Sequence, residues 1–393
     1  MVPSGWEIKK FSHIMTFRNG LNFTKTDTGE KIKIVGVADF KSYSELSNLN
    51  SLSSISVANK VSDDDLIIEK DLLYVRSNGN KDLIGRCLFF PKVNEKLSFS
   101  GFTIRGRVTD ESTMPEYIAL LSRSELVTQQ FRKNGGGTNI SNLSQQILND
   151  TTICLPPLPE QQKIAKIITT WDQAINTTER LIENSKQQKK ALMQQLLTGQ
   201  KRLEGFNDRW KVFSIEDLEE FKWVELSRGK VISKKDLQKS PGDYPVYSSS
   251  IKNEGLMGKY NEYMFDEELI SWSVDGGGDF FYRPKHKYSI TNVSGYMRLD
   301  TNLLNYRFIA YQLQYLHTEL SFDYQTKAHP SVIRKLYFLQ IPSIEEQQKI
   351  AAVLTNADRE IEVLEQQLAD LQQEKKALMH QLLTGKKRVL VDL

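Results

Sequence analysis

Apolar positions recur at alternating spacings of four and three through Ile164, Ile168, Trp171, Ile175, Thr178, Ile182, Ser185, Lys189, Leu192 and Leu196. The same rhythm returns in Ile350, Leu354, Ala357, Ile361, Leu364, Leu368, Leu371, Lys375, Leu378 and Leu382. An a/d pattern sustained over almost five heptads predicts two long helices, each burying a seam against another helix. Neither run contains Pro or Gly, and Leu, Ala, Gln, Glu and Lys dominate both. Ser343 with Glu346 fits a capping box, and Pro159 suits a first helical turn. Gly199 and Gly385 stand where a left-handed residue would close each helix, beside Lys201-Arg202 and Lys386-Lys387-Arg388. About 40 residues at 1.5 Å per residue gives roughly 60 Å of helix.

The two runs are copies. Residues 155–202 and 341–388 share 24 identities in 48 positions at one gapless offset of 186. Between the copies lie dissimilar blocks, 1–154 and 206–340, which open alike as Trp6-Glu7-Ile8 and Trp210-Lys211-Val212. The chain therefore divides into a variable block 1–154, a constant helix 155–205, a variable block 206–340 and a constant helix 341–393. The short connector from Gly199 to Trp210 puts the second block at the far end of the first helix. The second helix leaves that block and can bury its seam only by running back. The expected fold is α+β, with two mixed α/β domains at opposite ends of an antiparallel two-helix coiled coil. Identity at Glu160, Gln161, Gln162 and Lys163, again at Glu346, Gln347, Gln348 and Lys349, and at Gln195, Thr198, Lys201 and Arg202 with their copies, falls outside the seam. These residues are expected to be exposed and to present one surface twice to one kind of partner.

Within the blocks, residues 31–37, 71–76 and 102–108 read as strands and 115–130 as a helix. In the second block 244–247, 268–272 and 288–291 read as strands and 306–320 as a helix. Gly-rich tips follow a strand in both, at Arg76-Ser77-Asn78-Gly79-Asn80 and after Trp272-Ser273, and such tips let backbone approach a ligand.

Composition narrows the class. The 393 residues are 26% charged and 39% hydrophobic, the balance of a folded protein of two or three domains. No apolar run is long enough to span a membrane, and the N-terminus lacks a signal-peptide pattern, so a cytoplasmic protein is expected. Cys87 and Cys154 cannot build a disulfide framework or a four-ligand metal site. Net charge is only +3, with 19 basic to 17 acidic residues in block one and 18 to 18 in block two. Nucleic-acid binding would then use local basic faces and be salt-sensitive. The candidates in block one are Arg76, Asn78, Arg86, Arg105, Arg107, Arg132, Lys133, Thr138 and Asn139. In block two they are Trp272, Ser273, Arg283, Lys285, Lys287, Tyr324 and Lys327. Cations, amides and hydroxyls in loops suit phosphate and base-edge contacts.

No phosphate-binding G-x-x-x-x-G-K-[ST] loop, dinucleotide fingerprint or metal-spaced histidine set occurs. Pro156-Pro157 lacks the flanking residues with which an amino-methyltransferase would hold a flipped base. A non-catalytic chain is expected.

The proline-to-Glu-Gln-Gln segment at Leu155–Ala165 and its echo at Ile341–Ala351, each leading into a helix ending Leu-Leu-Thr-Gly, resemble the specificity subunits of type I restriction-modification enzymes. The resemblance covers the whole chain. It implies a DNA-reading subunit that binds no cofactor itself and assembles on double-stranded DNA with two methyltransferase (modification) subunits. Those would use S-adenosylmethionine to methylate adenine, and two restriction subunits using ATP and Mg could join them. Each variable block would read one half of a split, asymmetric site, with the helices setting the gap. The alternative from another class is a two-headed adaptor for proteins or glycans.

Overall fold

The computed structural model describes residues 2–23, 28–40, 44–57, 61–134, 142–250, 252–275, 277–320 and 328–391. The long helices are Leu158–Leu197 and Ile344–Leu383, each 40 residues. Every predicted seam position is buried or half-buried. Gly199 and Gly385 adopt φ of +68° and +65°, the left-handed close expected of them. The capping box at the second helix is only half made. The Glu346 N–H lies 3.4 Å from Ser343 Oγ, but the Glu346 carboxylate points elsewhere.

The chain forms two compact units, one of residues 1–177 with 368–393 and the other of residues 178–367. Each long helix contributes to both. Within each unit the two helices run antiparallel. In the first, Asp172 contacts Lys375 and Glu160 contacts Arg388; in the second, Lys186 contacts Glu365, Lys189 contacts Asp358 and Arg202 contacts Glu346.

The first unit carries a four-stranded antiparallel sheet of Met15–Asn19, Thr103–Val108, Leu72–Val75 and Cys87–Phe89, in that spatial order. A three-stranded sheet places Glu30–Val35 between Ser54–Val57 and Leu97–Phe99. The expected helix over 115–130 is two helices, Pro115–Arg123 and Glu125–Asn134. Ser124 breaks it: its backbone is extended (ψ 155°), its hydroxyl donates to the Leu121 carbonyl at 2.6 Å, and its own carbonyl accepts from Val127 and Thr128. Serine competes for backbone partners in this way and favours helix ends over helix interiors.

The second unit is built on a six-stranded sheet in the order Val224–Arg228, Ser294–Leu299, Phe265–Ser273, Phe280–Ile290, Tyr244–Tyr247, Leu256–Tyr260. The strand Phe280–Ile290 is far longer than the predicted 288–291, because it runs straight through Pro284. Its pairing with Phe265–Ser273 is irregular at this point, with the register shifting between Glu267 and Leu269. A bulge is where a strand tolerates a proline, since the missing N–H breaks no ladder bond.

The same closure appears in both units. Glu7–Lys10 pairs antiparallel with Thr152–Leu155, and Lys211–Ser214 with Phe338–Ile341. Each two-stranded ribbon holds the start of a block against its end, immediately before a long helix begins. The helix ends then join the block cores. Ile164, Ala165, Ile168, Leu382 and Leu383 pack with Trp6, Phe11 and Tyr117, while Leu196, Leu197, Ile350, Ala351 and Leu354 pack with Phe308, Leu339 and Ile341. The constant helices are therefore part of each core, which is why the compact units cut across the variable and constant segments.

Candidate nucleic-acid interface

The repeated polar residues split into two groups. Glu160, Gln161, Glu346 and Gln347 are buried, contrary to the expectation of a shared exposed face. Glu346 accepts from Arg202 Nε and Nη2 at 2.8 and 2.7 Å and from the Trp210 indole at 3.0 Å. Glu160 accepts from Arg388 Nε at 2.9 Å and Nη2, and from the Trp6 indole at 3.3 Å. The facing carboxylate raises the pKa of each arginine. Gln161 accepts from the Met114 N–H and donates to the carbonyls of Ser112 and Pro156; Gln347 accepts from Asn305 and donates to Leu303 and Pro342. Each glutamine thus clamps a block loop onto the helix start. Their recurrence is explained by a docking joint made twice inside the chain, because a buried carboxylate or amide needs its full set of partners. Gln162, Lys163, Gln348 and Lys349 are exposed, as expected.

The candidate DNA contacts sort in the same manner. Arg105 is buried and donates Nη1 to the carbonyls of Asp64 and Leu66 at 2.7 and 2.8 Å, and burial lowers its pKa. Arg107 is half-buried in a bidentate pair with Asp71, both contacts 2.7 Å, which raises its pKa. Trp272 is buried with its indole on the Ala328 carbonyl, and Ser273 is buried with its hydroxyl on the Ser249 carbonyl. Arg283 is 2% exposed, donates to Ser271 Oγ and the Glu254 carbonyl, and lies 3.8 Å from the Tyr247 ring centroid. These five hold strands and loops in place, and their polar atoms are turned inward. Alternation puts Arg105 and Arg107 on one face of their strand, whereas the adjacent Trp272 and Ser273 point to opposite faces and are both covered; a basic residue in a strand-like run does not reveal which face it takes or whether that face is covered.

Other candidates lie at the surface. Arg86, Arg132 and Lys133 are exposed, the last two at the end of Glu125–Asn134. Lys285 and Lys287 are exposed, with Lys287 Nζ 4.8 Å from the Tyr263 ring centroid. Arg76 and Asn78 are half-buried at the first tip, where Asn78 Oδ1 accepts the Asn80 N–H at 2.8 Å. Thr138, Asn139, Tyr324 and Lys327 lie outside the described residues.

The fold adds one neighbourhood that residue-by-residue reading missed. The Arg76 N–H donates to the Phe102 carbonyl at 2.8 Å, bringing the first tip beside Phe102, a residue that is 64% exposed. Phe23, Val37, Asn78, Gly79 and Phe102 line a shallow cavity of about 490 Å³. An aromatic directly after Gly101 at a strand start was the available signal. Among the described residues no group of three or more His, Cys, Asp or Glu side chains is placed to hold a metal ion, and no helix is long and apolar enough to cross a membrane.

Comparison with known proteins agrees with this two-fold layout. The type I restriction modification DNA specificity domain matches residues 3–185 and again 207–373. A Methanocaldococcus jannaschii protein named as a type I restriction enzyme specificity subunit is 26% identical over 99% of this chain and 95% of its own length. A Mycoplasma pneumoniae protein named as a type I specificity subunit is 29% identical over 53% of this chain and 82% of its own. The crystal structure of a type I restriction-modification S subunit from M. genitalium has the same fold, with a TM-score of 0.61, 13% identity, and coverage of 97% of this chain and 96% of that one. With the specificity domain present twice, once in each half of the sequence, this chain belongs to the type I restriction-modification specificity subunit family.

Proposed function

We propose that the chain supplies the sequence specificity of a type I restriction-modification complex, with each variable block reading one half of a split, asymmetric DNA site. The observation that carries this is the joint made twice: unlike blocks are seated on like helices by the same glutamate, arginine and tryptophan set. Such a joint lets a reading block diverge freely while its attachment stays fixed. The paired helices serve as the ruler between half-sites, and the exposed part of the repeat carries two modification subunits that bring S-adenosylmethionine to adenine. Restriction subunits, with ATP and Mg, are a further layer of the same assembly. The chain itself performs recognition, with no chemistry of its own.

Long-read mapping of methylated adenines in cells expressing this chain with its modification subunits tests the reading. A split asymmetric motif is expected. Deleting Thr178–Asn184 together with Leu364–Asp370 removes one heptad from each helix while sparing both docking joints and both Lys–Asp pairs. The gap should shorten by about 10 Å, roughly three base pairs, with both half-sites unchanged. An unchanged gap would refute the ruler, and absence of any methylated motif would refute DNA recognition.

A further inference from the structure

The two variable blocks, unlike in sequence, are built on one backbone frame. The Gly20 and Leu21 N–H groups donate to the carbonyls of Thr103 and Phe99, as the Gly229 and Lys230 N–H groups do to those of Ser294 and Ile290. The Thr103 N–H closes a turn on the Ser100 carbonyl, and the Ser294 N–H closes one on that of Thr291. Inside each turn a carbonyl, that of Phe102 or Val293, accepts from the N–H of Arg76 or Val274. The carbonyls of Arg76 and Val274 accept in turn from Leu143 and Ala328. The Val75 N–H donates to the Arg86 carbonyl where the Ser273 N–H donates to that of Asp279. A Cβ on Gly20 or Gly229 would collide with the backbone carbonyls that it crosses, so both copies of the frame need glycine there.

This correspondence makes each block a control for the other. Position for position, block one carries Arg76, Arg86 and Phe102 where block two carries Val274, Asp279 and Val293. Phe102 is 64% exposed, with Phe23 exposed on the same cavity, whereas Val293 is half-buried. The frame therefore closes without an aromatic in the turn, and folding does not require the exposed ring. Two cations come with it in the same block, Arg86 exposed and Arg76 half-buried on neighbouring strand ends. Among the described residues no charged side chain lines the cavity beside Phe102. An uncharged aromatic floor suits the flat face of a base, and arginines at its margin suit phosphates.

We propose that Phe102 is a wedge that inserts between two stacked base pairs of the half-site read by block one, with Arg76 and Arg86 on the adjoining phosphates. This rests on the reading above that the blocks read DNA. Unstacking costs least at TA and CA/TG steps, so the wedge selects its step by deformability, without hydrogen bonds to base edges. Block two, with Val293 and Asp279 at the matching positions, reads its half-site without a wedge at this turn.

The test assembles the chain with its modification subunits on DNA in which 2-aminopurine, which brightens when unstacked, replaces each adenine of the mapped site in turn. At saturating complex, one step in one half-site should brighten with wild type and with Phe102→Trp and stay dark with Phe102→Val, the residue type that block two carries. Extrusion of the methylated adenines brightens all three proteins alike and cancels in the comparison. Phe102→Val should bind the site about tenfold more weakly, melt at the wild-type temperature, and methylate sites with a relaxed choice of bases at that step alone. Equal brightening with wild type and Phe102→Val overturns the wedge while leaving the proposed function standing. Loss of a modification subunit from Phe102→Val, with brightening unchanged, assigns the ring to a protein contact and overturns it equally. A wild-type complex that retains no DNA overturns both readings.

Discussion

Lys189 Nζ lies 2.5 Å from Asp358 Oδ1, a charged pair set into an otherwise mostly apolar helix seam, and Lys375 meets Asp172 in the same way in the other unit. Both lysines occupy positions that the heptad pattern assigns to the seam, and all four side chains are only 22–32% exposed. A polar pair at a seam position fixes register, because a slipped helix would leave it partly buried without its partner.

That pair yields the first prediction. Asp358→Ala should destabilise the second unit by about 1 kcal/mol or more, since it takes the acceptor from both Lys189 and the Tyr311 hydroxyl, and the exchange Lys189→Asp with Asp358→Lys should recover only the ion-pair part. A double-mutant cycle from urea denaturation measures the coupling. A coupling indistinguishable from zero removes the register role.

The docking joints should differ in strength. Glu346→Gln and Glu160→Gln each leave an arginine short of its carboxylate, at a cost of roughly 2–3 kcal/mol. Arg202 is 25% exposed and Arg388 40%, so water compensates Arg388 better and Glu346→Gln should be the costlier change. Hydrogen exchange should show reduced protection in Lys211–Ser214 for Glu346→Gln and in Glu7–Lys10 for Glu160→Gln. The reverse ranking would contradict the solvent argument.

A pH dependence follows from Asp110. The Thr113 and Ser112 hydroxyls and the Lys9 ammonium hold its pKa down at about 2. A carboxyl depressed in the folded state stabilises above its unfolded pKa near 4 and loses that contribution as pH falls toward 2. The urea midpoint of Asp110→Asn should therefore lie below wild type at pH 5.5 and converge on it near pH 2. A gap that is constant with pH would exclude the linkage.

Surface and buried cations in the second unit should separate cleanly. Arg283→Met removes donors to Ser271 and Glu254 and should cost about 3 kcal/mol of stability. Lys285→Gln with Lys287→Gln should leave stability within about 0.5 kcal/mol but lower the salt slope of DNA binding by roughly one for each phosphate these lysines neutralise. Equal salt slopes for wild type and the double variant would take Lys285 and Lys287 off the DNA.

The heptad rhythm, the gapless repeat and the closing glycines define the two helices in the sequence itself, because helix periodicity and end residues are local properties that a sequence carries openly. Antiparallel pairing was legible as well, since the short connector at Gly199–Trp210 leaves the second helix little choice. Which polar residues face water was not. Glu160 and Gln161 look like a solvated helix start until Arg388, more than two hundred residues later, and the Ser112–Met114 loop close over them. Arg105 and Arg283 look like phosphate contacts until the strand pairing turns them inward. Burial of a polar side chain depends on partners distant along the chain, and so the repeat could show that these residues matter while only the tertiary structure decided that they serve the fold.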